Sequence, residues 1–332
     1  MKVAANNDSR SLTYATQAHA GFNNKLFFSL LFLLNLMRNP VLFCQFLSLL
    51  LLISSVAPAQ HASLIGHIID AKTQKPVPYA NVRLREDGAL SLSGKGGRFL
   101  LNIPDKDDSL LITIPGYQSK AVAWQKGMRD SLLIEIEPIH LLPEPIHTDY
   151  PSWNVRKLTL GARAKKPGQG MVQGTSGSQY AFMVKNEKGK KLGYIRSVSF
   201  YIGEDGHPRE PFRVRLYKAN GPANAPGADL LNESVVAAAP AGGQWFTIDL
   251  TAYNISAPQE GFYVAMEWVS NCPIFNGLGP YTTCGQVMHP TFEFRESFTW
   301  NYTYGRGWSQ ITLANRKNRY NAMMRAEVVA AK

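Results

Sequence analysis

The sequence predicts an all-β protein built from two β-sandwiches, the first with seven short strands and the second similar to a jelly roll. From Leu64 onward, apolar and polar residues alternate with period two, and turn-forming residues recur between the alternating runs. No stretch carries the sustained apolar stripe of an amphipathic helix. With 332 residues, 45% of them apolar, the chain is long enough for two domains, and disordered or fibrous classes are excluded.

Residues 1–60 differ from the rest and are interpreted as a targeting segment. They contain two nearly continuous apolar runs, the second of which follows Met37 and Arg38 and ends in "VAPA" at residues 56–59. A basic start, an apolar run and a small-x-small site are typical of a secretory signal peptide. We therefore expect a signal peptide over residues 37–59 or 37–60, with translation starting at Met37.

An uncleaved membrane anchor over residues 26–57 is the alternative, although the polar stretch "RNP" at residues 38–40 interrupts it. Membrane association is expected only through this segment, if it is not cleaved. The formal net charge is +11 at pH 7, but the basic residues are scattered along the chain. Export argues against nucleic acid as a partner, and the expected locations are the periplasm, the outer-membrane surface or the exterior.

Residues 61–138 are expected to form the first sandwich. The side chains of Phe99, Leu101 and Ile103 alternate with polar ones and should share one face of a strand. The glycine-rich stretch "LSLSGKGGRFLL" at residues 90–101 lacks the Ser or Thr that a phosphate-binding loop needs after Lys95. It is predicted to be a tight hairpin turn with Lys95 in solvent. The predicted strands are "LIGHIID", "YANVRLR", "GRFLLNI", "SLLITIP", "YQSKAVAW" and "DSLLIEIEP".

Residues 139–178 are rich in proline, glycine and charge, and are predicted to be a linker and the lead-in to the second sandwich. Residues 179–332 then return to period two. In "PFRVRLYK", the apolar residues Phe212, Val214 and Leu216 point one way and the intervening arginines the other. Further strands are predicted in "YIRSVSFYIG", "QWFTIDL", "GFYVAMEWV", "TFEFRESFTW" and "NAMMRAEVV".

Four motifs occur in order between residues 63 and 138: Gly66 with Asp70, "PVPYANV" at 76–82, Gly97-Arg98-Phe99, and Pro115-Gly116-Tyr117. Their order and spacing resemble the carboxypeptidase regulatory-like domain, a transthyretin-like fold frequent in envelope proteins of Bacteroidota. The resemblance covers less than a quarter of the chain and implies a transthyretin-like, non-catalytic module. In place of the family's acidic residue and Thr before Gly97, this chain has "SGKG" at 93–96, so a role of that acidic position is not carried over.

Cys272 and Cys284 are the cysteines that remain after cleavage near residue 60. In an oxidising compartment we expect a disulfide between them, with free thiols as the alternative. A zinc site at this pair would need two further nitrogen or sulfur ligands.

A weak metal alternative is the pair His207 and Glu210 in "HPRE", with His289 as a third ligand. The surrounding stretch "GEDGHPREP" is typical of a loop, and the two-residue motif is not specific. We therefore expect neither a metal nor another cofactor.

Glu293 and Glu296 flank the strand-like "FEFRESF". Their odd spacing would place them on opposite faces of a strand, which argues against a glycosidase pair and favours a solvated surface.

The stretch "SFTWNYTYGRGW" is the main binding candidate. Aromatic residues alternate with polar ones from Phe298 onward, so a strand would line the rings up on one face. Such rings could stack on sugars with an arginine supplying hydrogen-bond donors, whereas core packing is the alternative. The candidate binding residues are Trp300, Tyr302, Tyr304, Arg306 and Trp308.

Taken together, these features predict an exported, non-enzymatic envelope protein that binds or scaffolds through its β-sandwich surfaces. The partner is expected to be a glycan or an envelope protein. The alternative is a hydrolase, a metallopeptidase or glycosidase, with its active site in residues 165–332.

Overall fold

The structure is a computed structural model, and it describes residues 62–86, 88–103, 106–126, 131–139, 155–169, 174–269, 285–303 and 305–331. These residues form two β-sandwiches, which confirms the predicted all-β class. The helical segments among them are two 3-10 turns, Pro222–Asn224 and Thr251–Tyr253. Within the described ranges, no helix is long and apolar enough to cross a membrane.

The first sandwich has seven strands in two sheets, as predicted. One sheet has the order β4-β1-β7, in which β1 pairs antiparallel with β4 and parallel with β7. The other sheet has the order β3-β2-β5-β6 and is antiparallel throughout. The strands are β1 (Ala62–Asp70), β2 (Asn81–Leu84), β3 (Leu90–Leu92), β4 (Arg98–Ile103), β5 (Asp108–Thr113), β6 (Lys120–Trp124) and β7 (Leu132–Ile136).

The core of the first sandwich follows from strand alternation. Phe99, Leu101 and Ile103 are all buried on the inner face of β4, while Arg98 and Leu100 face outward. The inner residues pack against Leu64 and other apolar side chains of both sheets in a single cluster. Burial of alternate apolar side chains between two sheets is the main stabilising contribution to this sandwich.

The glycine-rich turn is not a hairpin, in contrast to the prediction. β3 and β4 belong to different sheets, so residues 93–97 carry the chain from one sheet to the other. The buried Ser93 hydroxyl donates to the carbonyl of Val77 and accepts from the amide of Ala80, both at 2.8 Å. Gly97 has φ +74°, and a Cβ there would lie 2.4 Å from the Ile68 carbonyl oxygen. Lys95 is exposed, as predicted.

The second sandwich contains a five-stranded and a six-stranded sheet. The first has the order β13-β10-β22-β8, with β15 also pairing with β10, and the second has the order β12-β11-β14-β9-β17-β18. Two small antiparallel pairs, β16 with β21 and β19 with β20, complete it. The strands are β8 (Val155–Gly161), β9 (Gln179–Lys185), β10 (Leu192–Gly206), β11 (Phe212–Tyr217), β12 (Val236–Ala237), β13 (Gln244–Asp249), β14 (Gly261–Trp268), β15 (Gln286–Met288), β16 (Pro290–Thr291), β17 (Thr299–Thr303), β18 (Gly307–Gln310), β19 (Ala314–Asn315), β20 (Asn318–Arg319), β21 (Asn321–Ala322) and β22 (Met324–Ala331).

The core of the second sandwich lies between its two larger sheets. Phe212, Val214 and Leu216 are fully buried there, as the alternation in β11 predicts. Phe200 from the five-stranded sheet meets Phe212 edge to face, with ring centroids 5.3 Å apart. The residues of this core and those of the first sandwich's core come from different parts of the chain.

Two stretches differ from the sequence predictions. Val155–Gly161, within the predicted linker, forms strand β8 and pairs along its length with β22. Residues 292–298 of "TFEFRESFTW" form no strand, and Phe294 is partly buried against the core. Phe294 and Phe298 lie with ring centroids 5.3 Å apart, and Phe298 also packs against Phe182.

Some predictions concern residues outside the described ranges. They are the targeting segment, the proposed disulfide between Cys272 and Cys284, and the contribution of Tyr304 to binding. These three remain predictions.

Candidate binding surface

The outer face of the six-stranded sheet carries alanine and aromatic side chains that pack together. Its inner face carries the core residues, and the alternate residues of β9, β11 and β14 point away from that core. Ala181 and Ala265 lie side by side on the outer face because they are paired across β9 and β14. With Tyr217 and Tyr263 they form a second, smaller buried cluster. The small alanines leave space above them that larger neighbours occupy.

The hairpin of β17 and β18 supplies those neighbours. In its register Trp300 lies opposite Gln310 and Tyr302 opposite Trp308. Because β17 also pairs with β9, Trp300 is placed beside Ala181. Trp300 and Trp308 pack against the outer cluster.

The turn of this hairpin places Arg306 at its exposed tip. The amide of Arg306 donates to the carbonyl of Thr303 at 3.0 Å. Gly305 and Gly307 flank it with φ of 78° and 76°, a region that favours glycine. Arg306 is therefore exposed at the tip of the hairpin that carries the aromatic rings.

Three aromatic side chains, Trp300, Tyr302 and Trp308, are half-buried and are called the aromatic surface below. The rings of Tyr302 and Trp308 have centroids 5.2 Å apart and are tilted. Trp308 meets the buried ring of Tyr217 edge to face at 5.6 Å. Such mutual packing fixes the ring orientations and leaves part of each ring accessible.

The phenols beneath the aromatic surface are held neutral. Burial raises the pKa of Tyr217 well above its ordinary value, and its hydroxyl donates to Gln179 Oε1 at 2.5 Å. Burial also raises the pKa of Tyr263 to about 12, and its hydroxyl donates to the Asn224 carbonyl at 2.7 Å. Both phenols are therefore neutral at neutral pH, and the Arg215 guanidinium lies 5.1 Å from the ring centroid of Tyr217.

Phe298 does not belong to the aromatic surface, although it lies two residues before Trp300 and strand alternation predicts the same face for both. β17 begins only at Thr299, so strand alternation does not extend to Phe298. Its ring is buried in the core, with Lys185 Nζ 4.4 Å from the ring centroid. The core-packing alternative therefore holds for Phe298.

A charged network lies at the other end of the same outer face. Arg213 Nη1 donates to Glu267 Oε1 at 2.8 Å, and Arg215 Nη1 donates to Glu267 Oε2 at 3.0 Å. Arg215 also binds both carboxylate oxygens of Asp229. Burial would raise the pKa of Glu267, but the two guanidinium groups outweigh burial and hold it below its ordinary value.

The first sandwich covers this network. Arg213 Nη2 donates to the backbone carbonyl of Tyr79, and Asn81 Nδ2 donates to Glu267 Oε1 at 3.4 Å. The side chains of Arg213 and Glu267 are consequently 0% and 1% exposed. Strand alternation predicts that Arg213 points outward, but it does not predict that Arg213 is buried. The charged residues within the otherwise apolar stretches "FRVRLY" and "VAMEWV" were the sequence signal for a buried charged network.

The residues considered for catalysis do not converge. His207 and Glu210 are exposed in a turn after β10, where the Glu210 amide donates to the His207 carbonyl at 3.1 Å, and His289 lies between β15 and β16. In the described part of the chain, no group of three or more His, Cys, Asp or Glu side chains could hold a metal ion.

The two carboxylates of the weak glycosidase alternative have separate structural partners. Glu293 Oε2 accepts from the Arg163 amide at 2.9 Å, and Glu296 Oε2 pairs with Lys185 Nζ at 2.9 Å. They flank an irregular segment, so the predicted strand geometry was wrong.

The solved structures to which this chain is similar share little sequence with it. No family model matches the chain, and no curated protein matches it. It is similar to a DUF3823 family protein from Bacteroides ovatus (10% identity, 80% of this chain and 100% of that one, TM-score 0.21) and to one from Bacteroides uniformis (12%, 81% and 99%, 0.22). It is also similar to a Bacteroides uniformis protein for which carbohydrate binding has been suggested (11%, 83% and 100%, 0.22).

Proposed function

We propose that the protein is an exported, non-catalytic binding protein of the bacterial envelope, and that it binds a glycan through Trp300, Tyr302 and Trp308. Arg306 at the hairpin tip donates hydrogen bonds to hydroxyl groups of the same ligand. The observation that carries the proposal is the half-buried position of three adjacent aromatic rings on an outer sheet face.

The chemistry of the surface suits a sugar. The apolar face of a sugar ring packs well on an aromatic ring, and rings fixed by their neighbours lose little conformational entropy on binding. The phenols below are neutral, and the Arg215 guanidinium beside Tyr217 is paired with the carboxylates of Asp229 and Glu267. A neutral or weakly acidic glycan is the matching ligand class.

The proposal includes the expected processing and organisation of the chain. The signal peptide is removed near residue 60, residues 61–138 form a carboxypeptidase regulatory-like domain, and residues 155–332, which include β8, form the binding domain. A disulfide between Cys272 and Cys284 closes a loop after export. The mature protein then acts in the periplasm, at the outer-membrane surface or outside the cell.

A glycan-array screen of residues 61–332 tests the proposal. The expected result is binding to a defined set of glycans, reduced in a Trp308→Ala variant. If no glycan binds but an envelope pull-down captures one protein through the same residues, the ligand is a protein and the glycan assignment is wrong. Turnover of a captured glycan would contradict the non-catalytic assignment.

A further inference from the structure

Arg325 projects from the outer face of the five-stranded sheet. Its neighbours in β22, Met324 and Ala326, are buried in the core of the second sandwich, so strand alternation directs Arg325 away from that core. The guanidinium carbon lies 4.0 Å from the ring centroid of Trp245 on β13. Tyr201 meets the same indole edge to face, with ring centroids 5.8 Å apart. The guanidinium group is therefore held over a fixed aromatic ring.

The hydrogen-bond donors of this guanidinium group are unused. Its nitrogens have no hydrogen-bond partner among the residues that the structure describes, and they reach solvent, since the buried polar atoms without a partner lie elsewhere. Burial of part of the side chain lowers the pKa of Arg325 below its ordinary value. An oxyanion that accepted hydrogen bonds from these nitrogens would offset that unfavourable burial of charge.

The loop that follows β8 runs beside Arg325 and Trp245. Gly161, the last residue of β8, lies opposite Arg325 in the strand register, and the amide of Ala162 continues the pairing with β22. The carbonyl of Ala164 then accepts a hydrogen bond from Trp245 Nε1 at 3.2 Å. These backbone contacts hold the loop against the sheet face that carries the guanidinium group.

The same loop carries three exposed basic side chains, Arg163, Lys165 and Lys166. They flank or follow Ala164, the residue in contact with the indole that supports Arg325. A chain-like ligand bound at Arg325 therefore passes within reach of the loop cations. The four residues Arg163, Lys165, Lys166 and Arg325 are called the basic surface below.

The carboxylates nearby do not cancel the charge of the basic surface. Glu327, the next outward residue of β22, is already paired with Lys157 at 3.5 Å and with Arg196 at 3.4 Å. Glu293 lies at one margin and accepts a hydrogen bond from the loop backbone, and Glu204 lies at the other against the backbone that precedes β13. The cations outnumber these two marginal carboxylates, so the surface keeps a net positive charge and attracts anions.

From this arrangement we propose that the basic surface binds an acidic polysaccharide, one that carries carboxylate or sulfate groups. One acidic group accepts a bidentate pair of hydrogen bonds from Arg325. Further acidic groups along the polymer pair with the loop cations.

Two observations favour a soluble polymer. The cations extend from the sheet face along an exposed loop, so they match a row of anionic groups better than one small anion. Residues 161–169 expose no large apolar side chain that could enter a bilayer, which argues against a membrane surface. The inference goes beyond the proposed glycan site, because the aromatic surface lies on the other large sheet and shares no residue with the basic surface.

Isothermal titration into residues 61–332, the compact unit that contains this sheet and its loop, tests the inference. The probes are polygalacturonate, dextran sulfate and neutral dextran. We expect both acidic polymers to bind and neutral dextran not to bind. The affinity should fall about tenfold or more between about 0.05 M and about 0.5 M sodium chloride, because salt screens exposed charges.

Variants of the basic surface locate the binding. Arg325→Gln should weaken binding of both acidic polymers by about tenfold, the effect of losing one bidentate charged contact. Arg325→Lys should restore little of it, because lysine lacks the planar fork that binds an oxyanion in a bidentate manner. The double variant Lys165→Gln with Lys166→Gln should weaken binding by about fivefold. It alters only exposed side chains, so it remains informative if a change at Arg325 impairs folding.

The matched control is the double variant Lys188→Gln with Lys218→Gln. It removes the same charge from exposed positions after β9 and β11, and it should bind like the unaltered protein. Trp308→Ala should also leave the binding of acidic polymers unchanged. The inference and the proposed glycan site can therefore fail separately.

The inference is overturned if neither acidic polymer binds or if Arg325→Gln has no effect. Equal losses in the two double lysine variants would also overturn it, because they would show attraction by net charge alone. Tighter binding to phosphatidylglycerol vesicles than to either polymer, lost in the same variants, would assign the basic surface to a membrane instead.

Discussion

Glu267 lies in the interior between two guanidinium groups, with Arg213 on one carboxylate oxygen and Arg215 on the other. Desolvation opposes its ionisation, yet the paired positive charges hold its pKa below the ordinary value. Each member of this network depends on the others, because a buried charge without its partner is strongly unfavourable. Removal of one charge should therefore cost much more than a surface ion pair does.

Glu267→Gln tests this dependence. The substitution keeps the shape but leaves Arg213 buried without its counter-charge, so we expect a loss of about 3–5 kcal/mol in the free energy of unfolding. Urea denaturation measures it. The matched control is Glu327→Gln, which removes a more exposed partner of Lys157 and Arg196 and should cost about 1 kcal/mol or less. Equal losses in both variants would contradict the account.

Asp70 lies at the end of β1 and fixes the following turn. Its carboxylate accepts from the amides of Thr73 at 2.8 Å and Lys72 at 2.9 Å, and from the Tyr117 hydroxyl at 2.8 Å. The Thr73 bond contributes most to a pKa below the ordinary value, and burial partly opposes it. Burial and this same bond raise the pKa of Tyr117 to about 12.

The lowered pKa of Asp70 gives a pH dependence of definite sign. The unfolded state binds the proton more readily, so stability is present above the ordinary carboxyl pKa and is lost as pH falls through the lowered value. Between roughly pH 5 and pH 2, Asp70→Asn should lose less stability than the unaltered protein does. Urea denaturation at several pH values measures the difference. An identical acid dependence in both proteins would show that Asp70 contributes nothing.

At the scale of elements, the β17–β18 hairpin separates two kinds of aromatic side chain. Phe298 precedes β17 and packs between Phe182 and Phe294 in the core. Trp308 on β18 contacts Tyr217 and Tyr302 on the outer face and remains half-buried. Phe298 before the hairpin and Trp308 within it therefore lie in different environments, the core and the outer face.

Two alanine variants should reveal this separation. Phe298→Ala leaves a core cavity and should lower the free energy of unfolding by about 3–5 kcal/mol. Trp308→Ala should cost about half as much or less, because its ring is already partly in water. Chemical denaturation measures both. A larger loss for Trp308→Ala than for Phe298→Ala would assign Trp308 to the core.

Strand alternation predicted the faces of β4 and β11 because period two depends only on local geometry. It could not predict what covers the outer face of β11, since the cover over Arg213 is the distant residue Tyr79. It also failed at Phe298, where parity was counted beyond the start of β17. Long-range packing, which decides both cases, leaves no periodic signal in the sequence.

At the scale of the whole molecule, His61–Lys332 is one compact unit with two hydrophobic cores. The cores share no residue, but the Arg213–Glu267 network contacts Tyr79 and Asn81 across the junction. Because these charges are buried only while the sandwiches stay together, separation would expose or unpair them. The junction should therefore couple the unfolding of the two sandwiches.

Calorimetry tests this coupling. We expect residues 61–332 to unfold in one transition, with equal calorimetric and van't Hoff enthalpies. Arg213→Ala removes the contact to Tyr79 and should resolve two transitions. Lys157→Ala, which alters a side chain 61% exposed on β8, should keep one. Two transitions in the unaltered protein would mean that the sandwiches unfold independently.

The central claim, that the aromatic surface binds a glycan, is tested most directly by isothermal titration of an array-identified glycan into residues 61–332. The matched variants are Trp308→Ala and Trp245→Ala. Trp245 is also half-buried but lies on the five-stranded sheet, where it contacts Tyr201 and Arg325. We predict that Trp308→Ala weakens binding by tenfold or more, the loss of roughly 1.4 kcal/mol, while Trp245→Ala leaves it unchanged. Equal affinity of the Trp308→Ala variant and the unaltered protein would contradict the claim.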